Sequence, residues 1–377
     1  MEFGFKSIPV IDGHIHFTDV RQMDAIMGIA NTVPMRKFNL LSAPRPGTIN
    51  QNPALIAFKD RYPAITYLSG GLDYTQVAAA DGSTVDAATM SDNLGLQIET
   101  LHSIGFDGLK LLESKPTSRK WIPVPLDAPH YEGMWAALER LNMPVLWHVA
   151  DPEEFWDEEL APAHARERGW FYGDGTYPTK ESLYQEVDHV LARHPGLKVI
   201  FAHFYFLSAD LERAAHFLDS HPNVCFDLTP GNEMIFNFTR NFDAARAFFV
   251  RYQDRIVYGT DIATWGLDAP NGLARALGTA WSVRMYLEMS GTIEPPEALA
   301  HWRRPDLDGF RGFALPDEVL EQIYAGNFER LYGGAPAALN YERARAELRR
   351  MAEVLDVNVS EEGGNNPARQ ALDLLQG

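Results

Sequence analysis

The sequence predicts an α/β protein, a (β/α)8 TIM barrel, from three observations. Short runs rich in Val, Ile, Leu and Phe alternate with helical stretches, eight times between residues 7 and 260. The runs are apolar throughout rather than alternating with polar residues, which is the pattern of parallel strands buried on both faces. No glycine-rich phosphate loop follows the first run, as an open doubly wound sheet that binds nucleotides would have. Repeated strand–helix units imply parallel pairing through right-handed crossovers, and eight of them fit a closed barrel.

In chain order, the first run is 7–11, with a helix near 22–30. A second strand is read at 37–42, before a helix at 52–61. The third run, 64–70, precedes a helix at 91–104. The fourth, 106–112, precedes one near 131–141. The fifth, 144–149, is answered by a helix at 180–193, and the sixth, 197–202, by one at 209–220. The seventh, 224–228, is followed by a helix near 242–252, and the eighth is 255–259. Two insertions stand out, 151–179 after strand five and 262–316 after strand eight. Both are expected on the barrel face that carries active sites, as lids or specificity loops. A closing helix at 316–333 ends the barrel domain, residues 1–333. Residues 334–377 are expected to form a helical extension, with a charged helix at 341–355. They end in a flexible tail that starts in a Gly/Asn-rich linker and either frays or docks on a neighbouring subunit.

The formal net charge of −18 makes nucleic acid and anionic membrane poor partners. The N-terminal residues carry no basic segment followed by an apolar one, and no stretch approaches the roughly 18 apolar residues of a membrane span, so a cytoplasmic location is expected. The single cysteine, Cys225, excludes an internal disulfide and any four-thiolate metal centre. It lies in an apolar run and is expected to be a packed core thiol.

Chemistry gathers where the apolar runs end. The first ends Asp12-Gly13-His14-Ile15-His16, the fifth Trp147-His148, the sixth Ala202-His203, and the eighth Gly259-Thr260-Asp261. Strand ends converge on one mouth of a barrel. Residues i and i+2 of a strand face the same side, so His14 and His16 can reach one ion. Imidazole suits zinc, manganese, iron and nickel, and a carboxylate adds charge.

The set resembles the amidohydrolase superfamily, in particular its amidohydrolase-related branch of metal-dependent hydrolases and decarboxylases. The matching pieces are IDGHIHF (11–17), GLKLLES (108–114), PVLWHVADP (144–152), VIFAHF (199–204), VYGTDIA (257–263) and AGNFERLYG (325–333), in the family's order. The resemblance implies a barrel holding one divalent metal, with a water or hydroxide activated at it. Zinc is the first expectation and manganese the second. It maps His14, His16 and His148 onto metal ligands, Asp261 onto the strand-eight carboxylate, and His203 onto the strand-six histidine. Asp261 is then both a ligand and an acceptor of the water's proton, and His203 an acid/base or a polarising group. The alternatives are a helix cap for Asp261 and a structural histidine at 203.

Lys110 has three readings. Carboxylated, it bridges two metals, the only case that calls for a second ion. Unmodified, it binds a substrate carboxylate. Otherwise it is a strand-end cation paired with Glu113. Glu233 is read as a helix-start carboxylate, with pocket lining as the alternative. Arg119 and Lys120 are read as a solvated basic patch, with an anionic substrate as the alternative. Trp147, Trp156, Trp170, Phe171 and Tyr172 are core residues first and pocket walls second, and Asn327 caps or braces the barrel.

The expected function is a metal-dependent hydrolase acting on an amide, lactone or ester of a small organic acid. The alternative on the same scaffold is a non-oxidative decarboxylase of an aromatic or unsaturated carboxylic acid, with a hydratase also within reach; a catalytically inactive binding barrel is the reading from another class. The barrel resemblance also carries an expectation of homodimers, served by the C-terminal helix.

Overall fold

The computed structural model describes residues 4–43, 50–76, 85–230, 232–304, 306–358 and 366–375. Its main sheet is parallel throughout. The strands are β1 (Ile11–His16), β2 (Lys37–Leu41), β3 (Thr66–Gly70), β4 (Gly108–Ser114), β5 (Val145–Val149), β6 (Val199–Phe201), β7 (Val224–Asp227), β8 (Ile256–Val257) and β9 (Ile262–Ala263). Their order is β8-β7-β6-β5-β4-β3-β2-β1-β9. Strand eight is thus split: within the expected 255–259 only β8 forms and pairs with β7, while β9, at the start of the expected insertion 262–316, pairs with β1. Backbone bonds from Gly13 N to Tyr258 O and from Asp261 N to His14 O, both 2.9 Å, tie β1 to the segment between the halves and close the barrel.

The split and a register shift in β1 between Asp12 and Ile15 have one consequence. Ile11 packs inside the barrel with Leu41, Tyr67, Leu146, Ile200, Cys225 and Val257, whereas Val10, Ile15 and Phe17 pack outward under the helices. The irregularity resets the alternation, so that His14 and His16 take the inner face. Gly13 sits at the tight point: a Cβ there would meet Tyr258 O and Val257 Cγ1 at 3.1 Å and Phe328 at 3.2 Å. Phe328, Leu331 and Tyr332 of the closing helix (Asn327–Tyr332) plug the bottom of this inner core, as side-chain layers fill a barrel. Asn327 Nδ2 bonds Gln253 O at 2.7 Å and Ile256 O at 2.8 Å, the expected brace. Cys225 is buried, as expected.

Several segments differ from the expectations. An antiparallel hairpin, β10 (Ser290–Ile293) with β11 (Phe310–Phe313), was not foreseen, and the helix whose start was read at Glu233 runs over Asn232–Arg240. The tail does not fray within 366–375. Asn366 caps a helix at Pro367–Leu374, whose Ala368 and Ala371 are buried in the chain's own core together with Ala344, Leu348 and Met351 of the preceding helix, Tyr341–Asn358. The Gly/Asn-rich linker at 361–365 lies outside the described residues. Arg119 is not part of a solvated patch: it is buried, bonds Glu113 O at 3.1 Å and pairs with Glu186. Only Lys120 reaches the surface, over the Tyr177 ring. No helix among the described residues is long and apolar enough to cross a membrane.

Candidate metal centre

Three of the sequence-predicted residues meet at the mouth of the barrel. His14 Nε2 lies 3.3 Å from His16 Nε2, and each lies 3.4 Å from Asp261 Oδ1. Those separations are the edges of a tetrahedron whose centre is about 2.0–2.1 Å from each corner, the bond length of zinc to imidazole or carboxylate. The donor set therefore fits a divalent ion. It is the only group of three such ligands within reach of one another among the described residues.

The candidate ligand atoms are presented in a form that a metal could take. His14 Nδ1 lies 2.7 Å from Asp227 Oδ2, in a pair with almost no solvent exposure. Asp227 accepts the Nδ1 proton, which leaves the Nε2 lone pair for the cluster. Burial, with Lys110 and His148 nearby, holds His14 well below its usual range, so it stays neutral. Asp227 was missed by the sequence reading, although it ends β7 as the histidines end their strands. Its other oxygen accepts from His203 N (2.8 Å), Thr229 N (3.1 Å) and Thr229 Oγ1 (2.5 Å). One carboxylate thus fixes the β6 and β7 ends together with His14. Asp12 does the same for strand eight, accepting from His14 N and Thr260 N and from Thr260 Oγ1 at 2.6 Å.

His203 and His148 lie beside the cluster. Their rings are 4.8 Å apart, and His203 is 5.7 Å from His14. Thr229 Oγ1 donates to Asp227, so His203 Nδ1 gives its proton to Thr229, through O at 3.2 Å or Oγ1 at 3.0 Å. Nε2 is then left for the cavity. His148 Nε2 is directed at Ala150 O (3.0 Å) and Asp151 Oδ1 (3.4 Å), away from the three-ligand group. Burial lowers the His148 pKa to about 4 and that of His203 well below the usual value. The backbone is strained where these residues are aimed: Ala150, Asp261 and the run His203–Phe206 all have positive φ. Such conformations in non-glycine residues cluster at functional sites.

Lys110 is fully buried, with Nζ 3.2 Å from His14 Nε2. Burial pushes its amine down and the Asp261 carboxyl up, while the charge of each opposes the shift of the other. Glu113 is not its hydrogen-bond partner: that carboxylate accepts from Tyr74 Oη and Leu112 N.

A cavity of about 400 Å³ opens above the cluster. His148, His203 and Asp261 form its floor, and Phe155, Trp170 and Phe206 are among its walls. Of the predicted aromatic walls, Trp170 lines it, whereas Trp147 packs on Trp135 and Phe201 in the core and Trp156 on Tyr172. Glu233 sits in the first turn of the Asn232–Arg240 helix, as read, and also lines the cavity, so both readings hold for it. At the rim, Lys115 Nζ contacts both Asp151 oxygens at 2.6 Å, and Tyr172 Oη donates to Asp151 at 2.6 Å.

The amidohydrolase family model matches residues 11–334. No curated protein matches the chain in sequence. Among solved structures, an uncharacterized TIM-barrel protein from Bordetella bronchiseptica is similar at 14% identity and a TM-score of 0.51, covering 86% of this chain and 98% of that one. The 5-carboxyvanillate decarboxylase of Novosphingobium aromaticivorans, complexed with manganese and 4-hydroxy-3-methoxy-5-nitrobenzoic acid, is similar at 12% identity and a TM-score of 0.50, covering 88% and 97%. The 4-oxalomesaconate hydratase of Rhodopseudomonas palustris is similar at 13% identity and a TM-score of 0.49, covering 92% and 99%. At these identities the likeness is one of fold.

Proposed function

The chain belongs to the amidohydrolase family, and on that premise we propose that it is a metal-dependent hydrolase of amides, lactones or esters of small organic acids. The observation that carries this reading is the near-tetrahedral spacing of His14, His16 and Asp261. His148, on the cavity floor beside this group, would be the further residue to hold the ion. When bound, a divalent metal supplies Lewis acidity that brings the pKa of water to about 7. Asp261 accepts the proton of the attacking water. His203, with an unprotonated Nε2 turned to the cavity, accepts a hydrogen bond from the substrate and orients it, and the proton that Asp261 takes from the water passes to the leaving group. Lys110 supplies a buried cation for a substrate carboxylate. The aromatic walls around the floor exclude water and seat an apolar body.

Those same walls, Phe155, Trp170 and Phe206, favour a second reading, non-oxidative decarboxylation of an aromatic or unsaturated acid. Product analysis separates the two: CO2 release in one case, acid with amine or alcohol in the other.

The test is elemental analysis of protein purified without added metal, with zinc and manganese measured together. One ion per chain is expected, and it should be lost in the His14→Ala/His16→Ala variant while circular dichroism stays that of a folded barrel. Full occupancy in that variant would remove the ligand assignment.

A further inference from the structure

The outer half of the cavity carries charge that the proposed reaction does not use. Its wall comes from both insertions, His164 and Arg168 from the first, His301 and Arg304 from the second. The Arg168 guanidinium lies over the Trp170 ring, 5.0 Å from its centre, and that of Arg304 over the Phe236 ring at 4.7 Å. A cation–π contact of this kind restrains a guanidinium without using its N–H donors, which remain to meet a planar anion.

Neither arginine makes an ion pair with a described residue, although the chain carries a net charge of −18. Their neighbours are paired. Arg303 contacts Glu297 at 2.6 Å, and Asp306, whose carboxyl feels Arg304, is held by Arg240 at 2.6 Å. Lys115, the third cation of the cavity, is closed onto Asp151. Glu154 and Glu233 also line the cavity, but neither forms an ion pair with the two guanidiniums. Both arginines act on one point: after burial, their charges are the largest influences that lower the His164 pKa. Two guanidinium forks that line one cavity, without a counter-ion among the described residues, match a carboxylate.

We propose that Arg168 and Arg304 form a carboxylate-receiving end of the cavity, so that the site takes small acids with a second carboxylate remote from the carbon held at His14, His16 and Asp261. The proposal rests on the metal-centre reading above for what happens at the other end of the substrate. It assigns the two insertions a shared role, since each contributes one arginine.

The test compares isophthalate, with two carboxylates, and benzoate, with one, by calorimetric titration of the manganese-loaded full chain. Charge-assisted hydrogen bonds to one extra carboxylate predict that isophthalate binds about tenfold more tightly or better. In the Arg168→Gln/Arg304→Gln variant the ratio should fall to near unity, with metal content unchanged. A preference that survives in that variant, or its absence from the wild type, overturns the proposal. Metal content of the same preparations keeps the two readings apart. Protein that binds no metal yet prefers isophthalate, and loses the preference with both arginines, sinks the metal centre and supports the arginine site. Protein that binds one metal without the preference does the reverse.

Discussion

The His14 imidazole and the Asp227 carboxylate, 2.7 Å apart and sealed from solvent, join the first and seventh strands of the barrel through a single proton. The bond sets which nitrogen of His14 is free for a metal. Asp227→Asn keeps the volume but takes away the charge and the fixed acceptor. Loss of such an outer partner costs about 10–100-fold in metal affinity. That drop is expected in a competition titration against a chromophoric chelator, and an unchanged affinity would reduce Asp227 to a brace for His203.

Lys110→Met should leave one metal per chain. A second ion would need its own ligands, and among the described residues only His14, His16 and Asp261 form a group. Lys110 itself contacts His14 Nε2 at 3.2 Å. Elemental analysis of the variant beside the wild type decides the matter: a fall from two ions to one would establish a carboxylated bridge in place of a substrate-binding cation.

The site was legible where one short motif carries several cues. His14, His16 and Asp261 are read together, from polar residues that recur where apolar runs end and from the family motifs around them, and the structure brings the three together. Asp227 has the same placement, at the end of an apolar run, but lies outside the family motifs, and its role depends on strands that meet only in three dimensions. The alternation rule placed the two histidines on one face but did not show that a register shift at Gly13 had to turn that face inward. Arg119 read as solvated because its partner Glu186 lies 67 residues away. The hairpin β10–β11 escaped because Ser-Gly-Thr-Ile and Phe-Arg-Gly-Phe are too short and glycine-broken to carry a period.

Lys59 and Asp107 test how the outer core is held. Their side chains are buried, 2.6 Å apart, and Asp107 also accepts from Leu68 N at 2.8 Å and Ala337 N at 2.6 Å. Burial pushes both groups toward their neutral forms and their mutual attraction opposes it. Lys59→Met leaves the carboxylate buried with its main counter-charge gone, which costs about 3–5 kcal/mol. Urea denaturation should show that loss with little change in the slope of the transition. A cost under about 1 kcal/mol would mean that the two backbone donors suffice for the carboxylate.

Glu233 gives the pH dependence with the clearest sign. Burial raises its pKa from 4.5 to about 7, with Glu154 and Asp151 adding to the effect and Lys180 opposing it. Its Oε1 has no hydrogen-bond partner among the described residues. The folded state therefore holds a proton on this carboxyl over a range in which the unfolded chain has released it. The stability from that proton is fully present below the unfolded value near 4.5 and is lost as the pH rises through about 7. Glu233→Gln is neutral at every pH and removes the dependence. The gap between the unfolding midpoints of variant and wild type should thus widen, in the variant's favour, between about pH 5 and about pH 8. A gap that stays constant across this window would show that Glu233 is ionised in the folded protein, with solvent in the cavity reaching its carboxylate.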